Sequence, residues 1–161
     1  MVQPLHRPTR RLMLCLPALA LAGCGMGSLF SGGPSLTIDS VTLVAQPGSN
    51  RNRPVAVDLV LIKTEAAIDQ IGALSATDWF RRKGQFLRDF PQGMTIIGWE
   101  PVPALNLAPR ALTSEEKSGA KAGFVFADYS TPGDHRARLE SASAIRLTLR
   151  PDDFIVEPIS K

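Results

Sequence analysis

The sequence predicts a mainly β domain: a small sandwich of short strands with one helical insertion covering one end. Three observations carry that reading. Runs rich in Val, Ile, Leu and Thr recur at residues 36–46, 54–63, 94–102, 124–129, 144–149 and 154–159, which is strand composition. Only residues 65–90 repeat their apolar side chains at helical spacing. No internal repeat or second linker interrupts the series, so residues 36–161 read as one domain built as packed layers.

The first run, 36–46, changes its apolar phase near Ser40, which predicts a bulge or a strand buried on both faces. Pro47, Gly48, Ser49, Asn50, Arg51, Asn52 and Arg53 follow as a polar loop with no apolar anchor. The next run has the strongest pattern, with Val55, Val57, Leu59 and Leu61 on one face and Val60 and Ile62 on the other. Asp58 interrupts the second face and is expected near a sheet edge, paired with a base.

Thr64 is placed to cap a helix over 65–74. Ser75-Ala76-Thr77-Asp78 is a capping signal for a second helix that Pro91 ends. In it Trp79, Phe80, Phe86, Leu87 and Phe90 form an apolar side opposite Arg81, Arg82, Lys83 and Arg88. A basic amphipathic helix could touch anionic lipid, but these aromatics are needed for a core, so the expectation is a helix on a sheet with a solvated basic face. A strand at 94–102 then gives way to an irregular connection carrying Pro101, Pro103 and Pro109, with a helical turn expected at Ser114-Glu115-Glu116. Ile145, Leu147 and Leu149 alternate with Arg146, Thr148 and Arg150, and Pro151-Asp152-Asp153 turns the chain into a last hairpin strand.

Ahead of this domain lies a leader. Arg7, Arg10 and Arg11 precede an apolar stretch from residue 12 to 21, about half the roughly 20 residues that a membrane-spanning helix needs. A cleaved signal fits, and Leu21-Ala22-Gly23-Cys24 reads as a lipobox. Residues 1–23 are then a lipoprotein signal peptide, Cys24 is the acylated first residue, and residues 24–35 are a lipidated, glycine- and serine-rich tether. The lipid anchor predicts attachment to a membrane through acyl chains on Cys24. Thr9-Arg10-Arg11-Leu12-Met13 also fits a twin-arginine leader, which leaves the export route open. Gly25 stands where an aspartate would retain an enteric-type lipoprotein at the inner membrane, which points to the outer membrane.

Removing residues 1–23 from 161 leaves 138. The formal charge of +3 is that of the three leader arginines, so the remainder is neutral and loses any nucleic-acid signature. Cys15 leaves with the leader and Cys24 is acylated, so no disulfide is available. Catalytic candidates are few. His135 is the one histidine past the leader and is expected in a solvent-facing loop. The adjacent pairs Asp152-Asp153 and Glu115-Glu116 point apart in a strand or turn. No activated-serine motif, phosphate loop or metal-ligand spacing is present. The expectation is a non-enzyme without cofactor or metal.

The order of lipobox, tether, strand, polar loop, strong strand, helical insertion and further strands resembles the TssJ lipoproteins of type VI secretion systems. The resemblance rests on residues 36–45 leading into the asparagine-bearing loop at 50–53, on Pro54-Val55-Ala56-Val57-Asp58-Leu59-Val60, and on Gly123-Phe124-Val125-Phe126-Ala127-Asp128-Tyr129. The insertion at 65–90 is longer and more aromatic than that family's, and its arginine-tyrosine strand signature is absent. The resemblance implies a transthyretin-like β-sandwich anchored at the periplasmic face of the outer membrane. It further implies that Pro47, Gly48, Ser49, Asn50, Arg51, Asn52 and Arg53 contact the periplasmic domain of an inner-membrane secretion component, a TssM-like protein. Two other readings compete. A pilotin-like lipoprotein would escort an outer-membrane secretin with a groove beside the 79–90 helix, and a periplasmic ligand-binding lipoprotein would use Trp99 as a stacking platform.

Overall fold

The computed structural model describes residues 35–159. The leader, Cys24 and the tether to residue 34 lie outside the described residues. Eight strands are found among the described residues: β1 (Ile38–Ala45), β2 (Val57–Ile62), β3 (Met94–Trp99), β4 (Arg110–Ala111), β5 (Ala122–Ala127), β6 (Arg136–Arg138), β7 (Ala142–Leu149) and β8 (Phe154–Pro158). They form two four-stranded sheets of order β4-β1-β7-β8 and β3-β2-β5-β6. The expected mainly β sandwich is the fold found. Among the described residues three α-helices join it: α1 (Glu65–Gly72), α2 (Ala76–Asp89) and the single turn α3 (Ser114–Lys117).

Alternation on β2 and β5 sets the layers. Val57, Leu59, Leu61, Val125 and Ala127 turn inward to Val41, Leu43, Ala45, Ile145, Leu147 and Leu149 of the first sheet. Val60, Ile62, Ala122, Phe124 and Phe126 turn outward and are covered by Ala67 and Ile71 of α1 and by Ala76, Trp79 and Phe86 of α2. All six residues of β2 are therefore buried, as a strand covered on both faces requires. The helical insertion lies over the outer face of the second sheet instead of closing an end of the sandwich. Trp79 stacks on Phe126 with ring centroids 5.1 Å apart, which makes it the central wedge of this outer layer.

Local chemistry starts α2 as the sequence signals. The Ser75 hydroxyl accepts from Asp78 N–H at 3.2 Å and begins α2. Thr113 and Glu116 close a reciprocal capping box on α3, with Glu116 also held by Arg110 at 2.6 Å. The Arg110 hydrogen bond, then the one from the Thr113 backbone, holds the Glu116 carboxyl below its ordinary pKa. Thr64 occupies the position before α1, but its side chain makes no cap bond.

Several expectations change. The apolar phase of β1 does slip, since Ile38 and Val41 are both buried, yet its parallel pairing with β7 keeps one offset from Ile38↔Ala142 to Ala45↔Leu149. Asp58 does pair with a base, but on an interior strand. It is 4% exposed, and its Oδ2 accepts from both Trp79 Nε1 and Lys83 Nζ at 2.9 Å. Gly98 sits opposite Asp58 on β3, where an added Cβ would lie 3.1 Å from Asp58 Oδ1. The two shortest strands, β4 and β6, have no counterpart among the runs read from the sequence.

Candidate functional site

Three connections meet at one pole of the sandwich: residues 46–56 between β1 and β2, 128–135 between β5 and β6, and 150–153 between β7 and β8. The first holds the loop from Pro47 to Arg53. Gly48 has φ +81, and Asn50, Arg51 and Asn52 follow at φ 46, 54 and 61. Three successive non-glycine residues in the left-handed region cost roughly 1–2 kcal/mol each, with asparagine the least penalised. Such a turn persists only where its surroundings fix it.

The surroundings do so through Asn50, which is 3% exposed. Its Nδ2 donates to Pro54 O at 2.8 Å, and its Oδ1 accepts from Ser130 N–H at 2.8 Å. Asn50 N–H donates to Arg150 O and Arg51 N–H to Pro151 O, both at 3.3 Å. One asparagine thus ties all three connections together. A second latch lies beside it: the Tyr129 hydroxyl meets the carbonyls of Arg150 and Asp153 and accepts from Arg150 N–H at 3.2 Å. Burial, above all, pushes the Tyr129 hydroxyl well above the ordinary tyrosine pKa, so it stays protonated. Thr131 Oγ1 donates to Asp152 O at 2.9 Å and completes the bracing.

His135 is also part of this frame, which corrects its expected solvent-facing place. It is half-buried, and its ring stacks on Tyr129 with centroids 4.8 Å apart. Its Nε2 lies 2.8 Å from Thr131 O, an acceptor, so that nitrogen carries the proton. Gly133, at φ +150, is needed because an added Cβ would stand 3.0 Å from the imidazole.

The loop divides by exposure. Ser49 and Asn50 are buried, Gly48 is half-buried, and Pro47, Arg51, Asn52 and Arg53 face solvent. Arg51 lies 3.6 Å from Asp152, both about two-thirds exposed, and such a pair contributes at most about 1 kcal/mol. The arrangement is a rigid frame presenting guanidinium and amide groups, suited to gripping a surface.

Residues 101–109 run beside this loop: Ala45 N–H donates to Leu105 O at 2.8 Å and Ala104 N–H to Gln46 O at 3.4 Å. Val102 and Leu105 project from this strap, 50% and 37% exposed. They add an apolar contribution that the sequence reading missed, although apolar residues in a proline-rich connection without a strand partner were a usable signal. The aromatic residues of the other candidate surfaces are wholly or partly taken up in packing. Trp79 and Phe86 are 0% and 2% exposed against the sheet, which leaves Leu87 as the exposed large apolar residue of α2. Trp99 is half-buried against the inter-sheet core. Among the described residues, no group of three or more His, Cys, Asp or Glu is placed to hold a metal, and no helix is long and apolar enough to cross a membrane.

No family model matches the sequence, and no curated protein matches it. Solved structures do match in shape. The crystal structure of the T6SS lipoprotein TssJ1 from Pseudomonas aeruginosa superposes with a TM-score of 0.57 at 14% identity, over 80% of this chain and 99% of that one. Serratia marcescens Lip, a membrane-bound component of the type VI secretion system, gives 0.52 at 12% identity, over 73% and 95%. A chain from the structure of the T6SS protein TssM C-terminal domain (869–1107) from EAEC gives 0.54 at 12%, over 74% and 97%. At these identities the likeness establishes the fold, which is the one the TssJ resemblance implied.

Proposed function

We propose that this chain is a TssJ-type, non-catalytic lipoprotein. Acyl chains on Cys24 hold it at the periplasmic face of the outer membrane. Its three-loop pole grips the periplasmic domain of a TssM-like inner-membrane component, tying an envelope-spanning secretion complex to that membrane. Each buried CH₂ of an acyl chain contributes about 0.8 kcal/mol, so two or three chains on one residue resist a pull on the domain.

The observation that supports this most is polarity. The described chain starts at the pole opposite the loops, where Leu36 N–H donates to Ala120 O at 2.9 Å and Thr37 N–H to Ser141 Oγ at 3.2 Å. The eight residues of β1 then carry it to the loop pole, roughly 25 Å away at about 3.3 Å per residue. A lipid-bearing residue preceding Leu36 would put the bilayer behind the domain and the left-handed loop in front.

The test is capture of the partner's periplasmic domain by full-length acylated protein. Reversing both exposed guanidinium charges, Arg51→Glu with Arg53→Glu, is expected to weaken capture at least tenfold while the fold stays intact. Undiminished capture would remove the loop from the interface. Mass spectrometry of the native protein should find an acylated Cys24 at its N-terminus, and an unmodified chain would remove the anchor.

A further inference from the structure

The second sheet ends in β3, whose outer side pairs with no strand among the described residues. Along β3 the residues bonded to β2 are Thr95, Ile97 and Trp99, and the ladder continues at both ends through Lys63 N–H to Gly93 O (2.8 Å) and Val55 N–H to Pro101 O (3.3 Å). By that alternation the N–H and C=O groups of Met94, Ile96 and Gly98 point away from the sheet. None of them has a backbone partner among the described residues.

The other three edges are each blunted. Strand β6 has three residues, two of them arginines; β8 ends in Glu157-Pro158; and β4 has two residues. In contrast β3 runs six residues, Met-Thr-Ile-Ile-Gly-Trp, with no charge and no proline. Proteins protect edges of this kind unless something pairs with them. We infer that the outer edge of β3 is a strand-addition site for an extended, uncharged segment of a protein partner, with main-chain hydrogen bonds supplying affinity and alternate side chains supplying selection.

The two faces of the edge define that segment. On the helix side it meets the half-buried Ile96 and the exposed Gly98, beside which the Asp58 carboxylate is neutralised by Lys83 at 2.9 Å. On the other side it meets Thr95 and Trp99, also half-buried. No charge on either face selects a charged segment. A second copy fits poorly: two identical edges related by a two-fold axis pair antiparallel, which turns the second copy's Leu36 pole the opposite way. Two copies held by one bilayer through Cys24 would both be expected to turn their Leu36 poles towards it, which disfavours that pairing. Because β3 leads from the Leu36 pole to the loop pole, a partner gripping the loops can lay a strand along it.

This inference rests on the proposed function for its probe, the periplasmic domain of the inner-membrane component added to full-length acylated protein. Amide hydrogen exchange should show the Met94, Ile96 and Gly98 amides exchanging quickly alone and at least tenfold more slowly in the complex. Ile96→Pro removes an outward N–H without touching the β2 ladder, a position where proline is tolerated. It should stay folded, at a melting temperature lowered only by the packing that the half-buried Ile96 gives the outer layer, and weaken capture at least tenfold; Ile96→Lys, should the proline variant not fold, should weaken capture likewise. A complex that forms with these amides still exchanging freely overturns the inference and leaves the proposed function standing. Absence of any complex with the wild-type chain overturns both. Protection of the three amides without the probe, with a dimer in sedimentation or with loss on deleting residues 25–34, assigns the edge to a second copy or to the tether and also overturns it.

Discussion

Replacing Asn50 with alanine tests whether one side chain organises the loop pole. The substitution removes two 2.8 Å hydrogen bonds, to Pro54 O and from Ser130 N–H, in a residue 3% exposed. Each is worth about 1 kcal/mol, and Pro54 and Ser130 lie near enough to solvent for water to recover part of that. Alanine at φ 46 also carries a left-handed backbone cost of about 1 kcal/mol that asparagine largely escapes. The expected loss is about 2–3 kcal/mol, a large share of a typical domain's stability. At about 4 °C per kcal/mol it corresponds to a melting temperature roughly 10 °C lower. Asn50→Gly loses the same hydrogen bonds but tolerates φ 46, so it should lie about 1 kcal/mol above the alanine variant. Urea denaturation gives the midpoints, and amide exchange at Arg51, Asn52 and Ser130 locates the change. An alanine variant within about 0.5 kcal/mol of wild type, with those amides unaltered, would refute the assignment of Asn50 as the tie between the three connections.

The remaining predictions concern the two layers, the strap and the loop-pole tyrosine. Asp58→Ala leaves Trp79 Nε1–H without its acceptor and frees Lys83, so stability should fall by about 3 kcal/mol; Asp58→Asn should lose distinctly less, and calorimetry ranks the two. Val102→Asp with Leu105→Asp, both exposed, should leave the melting temperature within about 2 °C and weaken partner capture; unchanged binding would separate the strap from the interface. The Tyr129 pKa is raised above its ordinary 10.0, so the folded state keeps a proton that the unfolded chain gives up. Stability should therefore be fully present below pH 10.0 and decline as pH climbs past it. Tyr129→Phe should flatten that decline, which equilibrium unfolding between pH 8 and 11 would measure.

What the sequence disclosed follows from where structure is determined locally. Strand β2 and helix α2 were legible because their side-chain periods, 2 and 3.6, are written into Val57–Ile62 and into Trp79, Phe86 and Phe90. The Ser75–Asp78 cap and the helical turn at Ser114–Glu116 were legible because each is written in a few adjacent residues, while the Thr113 cap went unread. Strands β4 and β6 were not, since Arg110–Ala111 and Arg136–Arg138 have no apolar pattern and are strands only because a neighbour's ladder reaches them. The loop at Pro47 to Arg53 could be located but not divided into buried and exposed halves. Asn50 is buried by Ser130, 80 residues away, and His135 by Tyr129. Asp58 was legible as a paired carboxylate, but its central position depends on β3 and β5 closing on both sides of β2.

The parallel pairing of β1 with β7 has a consequence for biogenesis. Seven of the eight residues of β1 wait for a partner 104 positions further along, as in Ile38 with Ala142 and Ala45 with Leu149. A chain that emerges N-terminus first presents β1 at the outset but can pair it with β7 only once residue 149 has emerged. Long-range pairing of this kind is slow to form, so the first sheet is expected to be the last part of the domain to close.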